Sequence, residues 1–179
     1  MNKFSNPNIL LAIPADITAI TTLLNSAYRG ESSKQGWTNE AHLIGGNQRT
    51  DEPSMQQVMS LANSIVLKYV SEEQQIIGCV NLQLHGSKIY LGMFSVAPQL
   101  QGLGIGKQLL QAAEEYAQAV QCSTIYMSVI DVRDELINWY LRNGYSKTGE
   151  RKAFIEDAVS GNHLQPLAFI FLEKNIILN

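Results

Sequence analysis

Gly102, Gly104 and Gly106 alternate ahead of apolar residues that recur at helical spacing: Ile105, Leu109, Ala113, Tyr116 and Val120. The surrounding stretch, LGMFSVAPQLQGLGIGKQLL over 91–110, reads as a strand, a short loop and the start of a helix. Helix starts normally carry Ser, Thr, Asp or Asn to satisfy their free N–H groups. None lies between Gln99 and Lys107. Two glycines in a first turn cost roughly 1 kcal/mol each against alanine. Lys107 sits at the unfavourable end of the helix macrodipole. A bound anion accounts for all of this, because bare N–H groups can reach its oxygens and Lys107 adds charge. An unliganded glycine turn is the alternative. A Walker A loop is excluded, since Gln101 stands where its first glycine belongs and Gln108 follows Lys107. The dinucleotide fingerprint fails because the third glycine comes one residue early.

What fits is Q-x-x-G-x-G, Gln101 to Gly106, after a strand ending Ser95-Val96-Ala97-Pro98. It resembles motif A of the GNAT N-acetyltransferases. A second stretch, Asn138-Trp139-Tyr140-Leu141-Arg142-Asn143-Gly144-Tyr145, is similar to that family's motif B, and it lies at the family's distance downstream. The resemblance covers nearly the whole chain. It implies the GNAT acyl-CoA N-acyltransferase fold, a mixed α/β architecture with a central, mostly antiparallel, splayed sheet flanked by helices. It also implies acetyl-coenzyme A as acyl donor, with coenzyme A as product. Gln101, Gly102, Leu103, Gly104, Ile105, Gly106 and Lys107 would then hold its pyrophosphate. The backbone of Phe94, Ser95 and Val96 would run along its pantetheine arm, and an N–H there would bond the acetyl carbonyl.

Acetyl transfer to an amine requires a held donor, an amine that loses a proton and a stabilised leaving thiolate. Tyr140 falls on the motif B tyrosine, which acts in the family as general acid. A phenol near pKa ~10 and a thiol near ~8.5 are close enough for proton transfer. An apolar-faced helix tyrosine is the plainer alternative. The resemblance places a polar residue about seven positions before that tyrosine. Arg133 occupies the place here, either reaching a cofactor phosphate or pairing with Asp134 or Glu135. The family often carries a glutamate on or near the motif A strand, but Leu91 to Val96 has neither acid nor histidine. Asp131, His85, Glu31 and Glu40 remain candidate bases, though a solvated surface residue is the plainer reading of each.

Several elements must position these groups. Ile9 to Ile13 reads as a strand, and a helix beginning at Pro14 carries Ile17, Ile20, Leu23, Leu24 and Ala27 on one face. Residues 28–53 are polar, glycine-rich and too long for a simple connection. This stretch is expected to form the acceptor side, with Glu31 and Glu40 attracting an ammonium and Trp37 packing over an apolar or cationic group. A mobile surface loop is the alternative. A short helix is expected from Thr38 to Ile44 and another after Asp51. Strands follow at Ser64–Val70, Ile76–Leu84 and Lys88–Val96, joined by hairpin turns. The motif A helix runs to about Val120. Then come a strand at Thr124–Ile130, a helix at Asp131–Asn143, strands at Tyr145–Arg151 and Pro166–Glu173, and a loop over 153–165 between those last two.

With 179 residues and no linker or repeat, one GNAT domain is expected over 1–179, residues 28–53 forming its substrate-side insert. The net charge of −3 gives no electrostatic case for nucleic acid or an anionic membrane. No apolar run is long enough to span a bilayer, and residues 1–12 do not read as a signal peptide. Cys79 and Cys122 have no metal or redox spacing and read as small buried hydrophobes. The expected protein is thus cytoplasmic, with no metal and no acetyl-cysteine step. It transfers acetyl directly to a primary amine of a small molecule, a peptide or a protein. A non-catalytic acyl-CoA sensor on the same scaffold is the rival reading, and pairing into a homodimer through sheet edges stays open.

Overall fold

The computed structural model describes residues 4–156, 159 and 161–178. Strand β1 (Ile9–Leu11) and a 3-10 turn at Pro14–Asp16 lead into α1 (Ile17–Tyr28) and the single turn α2 (Gly30–Ser33). After a long polar stretch come α3 (Glu52–Ser60), β2 (Ser64–Val70), β3 (Ile76–His85) and β4 (Lys88–Val96). They are followed by α4 (Ile105–Ala119), β5 (Thr124–Ile130), α5 (Asp134–Arg142), β6 (Ser146–Ala153) and β7 (Ala168–Asn175). The sheet order is β1-β2-β3-β4-β5-β7-β6, and only the β4–β5 pair is parallel. A parallel pair needs a crossover, which α4 supplies.

Alternation along the strands sends side chains to two faces. Val66 and Cys79 pack with Ile20, Leu23 and Leu24 of α1 and Met55 of α3. The next residues along, Leu67 and Val80, pack with Leu109, Ala113 and Tyr116 of α4. Burying each large aliphatic side chain contributes roughly 1.5–3 kcal/mol, so the sheet is gripped from both sides. A third cluster joins Leu43, Ile44, Ile130 and Leu167.

Two irregularities open the sheet where chemistry is expected. The β4–β5 ladder joins Lys88–Tyr90 to Thr124–Tyr126 and goes no further, although β4 continues to Val96 and β5 to Ile130. On its other side β4 is bulged: Asn81 pairs with Gly92 and Cys79 with Ser95, leaving Met93 and Phe94 opposite Val80. Met93 there has φ +48°. Bulges re-aim a strand and its backbone groups.

Two local expectations differ from the structure. Residues 38–44 form a turn rather than a helix, with the N–H groups of Leu43 and Ile44 both donating to the Glu40 carbonyl. Ile44 then bridges to His163, and the Gly45 N–H donates to the Asn162 carbonyl at 2.8 Å. The polar stretch is therefore zipped to the downstream loop, of which residues 157, 158 and 160 lie outside the described set. Helix α5 begins at Asp134 rather than Asp131. Asp131 still belongs to the sheet, exchanging backbone and side-chain hydrogen bonds with Ala168.

Candidate active site

The loop before α4 has the form its sequence implies. Gly104 caps the helix at φ +84°, in the left-handed region, and no side chain caps it. The N–H groups from Gly102 to Lys107 find no acceptor among the described residues. The loop borders a cleft of about 570 Å³ lined by Phe94, Ser95, Val96, Gln101, Gly102, Gly104, Ile105, Gly106 and Lys107, with Trp37 and Trp139. Lys107 and Arg142 bring two cations to it, neither in an ion pair among the described residues, and the exposed Glu135 brings one carboxylate. This donor set fits a diphosphate. Leu103 does not line the cleft and is 67% exposed.

Gln101 acts as a clamp. Its Oε1 accepts from the Trp37 N–H at 2.9 Å, and its Nε2 donates to Thr38 Oγ1 at 2.8 Å and to the Val96 carbonyl at 3.1 Å. The end of β4, the glycine loop and residues 37–38 are thereby tied together. Trp37 covers the cleft beside Trp139, with ring centroids 6.2 Å apart, and Phe94 lies 5.8 Å from Trp139.

On the other side of Phe94 lies a second cavity of about 280 Å³, inside the opening between β4 and β5. Tyr28, Phe94, Leu136 and Tyr140 line both spaces. The inner cavity has an apolar wall that includes Met127, Ile130, Phe154 and Phe169, and a charged one. In the charged wall Glu40 bridges two buried arginines. Its Oε2 lies 2.8 Å from Arg29 Nη1 and its Oε1 3.0 Å from Arg133 Nη1. Arg49 lines the same cavity, its guanidinium 6.0 Å from the Tyr28 ring centre. Tyr28 donates from its hydroxyl to the Phe94 carbonyl. Burial first, then the negative charge of Glu40, pushes its pKa up to about 12.

Tyr140 sits on α5 among the rings of Phe94, Trp139 and Tyr145. Its hydroxyl makes no hydrogen bond among the described residues. Burial, reinforced by Tyr28 and Tyr145, holds its pKa well above the ordinary phenol value. The group is therefore a neutral O–H at neutral pH, located where the two cavities meet.

Other expected site residues lie elsewhere. Arg133 is absent from the cleft lining and lines the inner cavity instead, paired with Glu40 at 3.0 Å and facing Glu135 at 3.6 Å, so of its two expected uses the structure has the pairing with Glu135 and not the reach to the phosphate cleft. Glu31 lines neither cavity and faces solvent beside Lys34, its side chain 88% exposed. Glu40 does line the inner cavity, but both oxygens are taken by arginines, so it is not an open site for an ammonium. Asp131 is occupied by Arg151 and the Ala168 N–H, and His85 pairs with the Tyr126 hydroxyl. Cys79 is buried, which raises its thiol pKa to about 12, so it is an inert core residue. Arg29, Arg49, Arg142 and Tyr28 went unselected from the sequence. Tyr28, Arg29 and Arg49 are scattered through a polar stretch and Arg142 lies on α5; nothing local distinguishes a buried arginine from a solvated one.

The sequence over residues 22–145 matches the Acetyltransferase (GNAT) family, and the chain belongs to that family. No curated protein matches it in sequence. Among solved structures, the ribosomal-protein-S18-alanine N-acetyltransferase of Escherichia coli aligns with TM-score 0.69 at 13% identity, over 96% of this chain and 94% of that one. The ribosomal-protein-alanine N-acetyltransferase of Brucella melitensis aligns with TM-score 0.70 at 19% identity, over 94% of this chain and 99% of that one. A Bacillus anthracis protein described as a streptothricin acetyltransferase, solved in complex with acetyl coenzyme A, aligns with TM-score 0.56 at 17% identity over 68% of each chain. At these identities the likeness is one of fold. No helix among the described residues is long and apolar enough to cross a membrane.

Proposed function

We propose that the chain is an acetyl-coenzyme A-dependent N-acetyltransferase of the cell interior that passes acetyl directly to a primary amine, donor and acceptor being bound together. The observation carrying this reading is that a cleft with bare helix amides and an inner cavity meet at Tyr28, Phe94, Leu136 and Tyr140, of which Tyr140 is buried with a hydroxyl unengaged among the described residues. Acetyl-coenzyme A brings an activated thioester. The N–H groups of 102–107 with Lys107 and Arg142 hold its diphosphate end. The open edge of β4 at Phe94, Ser95 and Val96 aligns the rest. Tyr140 holds a proton for the leaving sulfur. With its pKa raised, it acts chiefly by hydrogen bonding to charge as that charge develops.

The described lining of the inner cavity has no unengaged carboxylate or histidine. The amine accordingly gives up its proton to solvent rather than to a dedicated side chain. Two of the structural neighbours are named for a ribosomal-protein alanine and one for streptothricin, so protein and small-molecule acceptors both occur on this scaffold. A cavity of about 280 Å³ favours a small molecule here.

The missing base also favours a second reading, an acyl-coenzyme A sensor without turnover. Thiol release from acetyl-coenzyme A, measured against a panel of primary amines, separates the two. Amine-dependent release is the expected result. Tight binding of acetyl-coenzyme A with no release under any amine would establish the sensor instead.

A further inference from the structure

The charged wall of the inner cavity is out of balance. Arg29, Arg49 and Arg133 face one glutamate there. Glu40 spends one oxygen on Arg29 and the other on Arg133. That leaves Arg49 without an ion pair among the described residues; its guanidinium lies 6.0 Å from the centre of the Tyr28 ring. Arg133 is also incompletely served. It is 2% exposed, yet its Nη2 has no hydrogen-bond partner among the described residues. Its Nε faces Glu135 at 3.6 Å, beyond hydrogen-bond reach, and the Glu135 side chain is 55% exposed to solvent. A buried guanidinium edge without an acceptor is costly unless something supplies one. Water is a poor answer to the surplus charge, because it brings oxygens without bringing an anion.

We infer that the acceptor is a small amino acid or a close relative, whose carboxylate is held by Arg133 and Arg49 while its amine points to the junction at Tyr140. This rests on the acetyltransferase reading and gives it a substrate class. A carboxylate presents two coplanar oxygens, the shape that a guanidinium fork bonds best. It also offsets the excess positive charge that Glu40 leaves. Glu40 then positions: it fixes the angle of Arg133 and ties residues 29 and 40 of the insert to residue 133 ahead of α5. The apolar side at Met127, Ile130, Phe154 and Phe169 gives room for a hydrophobic side chain. A polyamine or a cationic peptide would have to place further positive charge against arginines, so these are disfavoured acceptors.

The test compares matched pairs. Free amino acids and their carboxamides are offered with acetyl-coenzyme A, and thiol release is followed for the wild type and for Arg49→Gln. Arg49 is chosen because its side chain makes no ion pair among the described residues, so its loss leaves the buried network whole. The best acids should exceed their own amides by about 10- to 100-fold in kcat/KM, the usual range for a charge-assisted hydrogen bond. Arg49→Gln should raise KM for the acids and shrink that ratio by about tenfold, with Arg49→Lys recovering part of it. Equal rates on acids and amides, or a preference for amides or diamines, would overturn the inference. So would release with neither series. In that last case calorimetry with acetyl-coenzyme A distinguishes the failures: intact binding discards the carboxylate assignment, and no binding discards the acetyltransferase reading beneath it.

Discussion

Tyr140 shows how burial sets the use of a single group. In water a phenol would share its proton readily with a thiolate, but here burial and two neighbouring phenols favour the neutral form. A pKa raised above the ordinary value means that the hydroxyl stays protonated as pH rises through the neutral and mildly alkaline range. The proton-donating form is therefore not lost below about pH 10. With no unengaged carboxylate or histidine among the described residues lining the cavity, kcat/KM for the amine should climb with pH as the acceptor itself deprotonates. Tyr140→Phe should lower kcat by about 10²-fold or more while leaving KM for acetyl-coenzyme A within about twofold. Unchanged turnover would remove the donor role. A falling limb below pH 9 that disappears in the variant would contradict the raised pKa.

At the scale of elements, the chain was legible wherever one periodicity governed a segment. Ser64–Val70, Lys88–Val96 and Thr124–Ile130 have the bounds that their alternation predicts, because each is paired on both sides for at least part of its length. The bare start of α4 was legible too, since what it lacks can be read as easily as what it has. Residues 28–53 were not. Their order comes from partners far away: Ile44 with His163, Glu40 with Arg133, and Trp37 and Thr38 with Gln101. None of these leaves a local pattern. The Gln101 clamp gives a direct check. A Cβ on Gly36 would lie 2.7 Å from Gln101 Oε1 and 2.9 Å from Nε2, so Gly36→Ala must displace that amide. Losing its hydrogen bonds should weaken acetyl-coenzyme A binding by about fivefold to tenfold, with little change in melting temperature. Calorimetric affinity equal to wild type would show that the glycine loop keeps its shape unaided.

For the molecule as a whole, the Arg29–Glu40–Arg133 network couples the insert to the rest of the fold. Removing the shared carboxylate takes the bridging counter-charge from two buried guanidinium groups at once. Glu40→Ala is therefore expected to cost about 3–5 kcal/mol and to lower the melting temperature on the order of 10 °C. A shift under 2 °C would mean that the network bears no such burden. The sheet edges also have a reading at this scale. Every residue of β6 is exposed, its register with β7 slips between Lys147 and Arg151, and β1 has only 3 residues. Charged, bulged or very short edges discourage pairing with another sheet. The most direct measurement of the whole account is a calorimetric titration of acetyl-coenzyme A into the wild type and into Gly104→Ala, where a Cβ would strain the φ of +84° at the helix cap. One-site binding in roughly the micromolar range, weakened about tenfold by the substitution, is the predicted result; no binding by the wild type, or identical affinity in the variant, would contradict it.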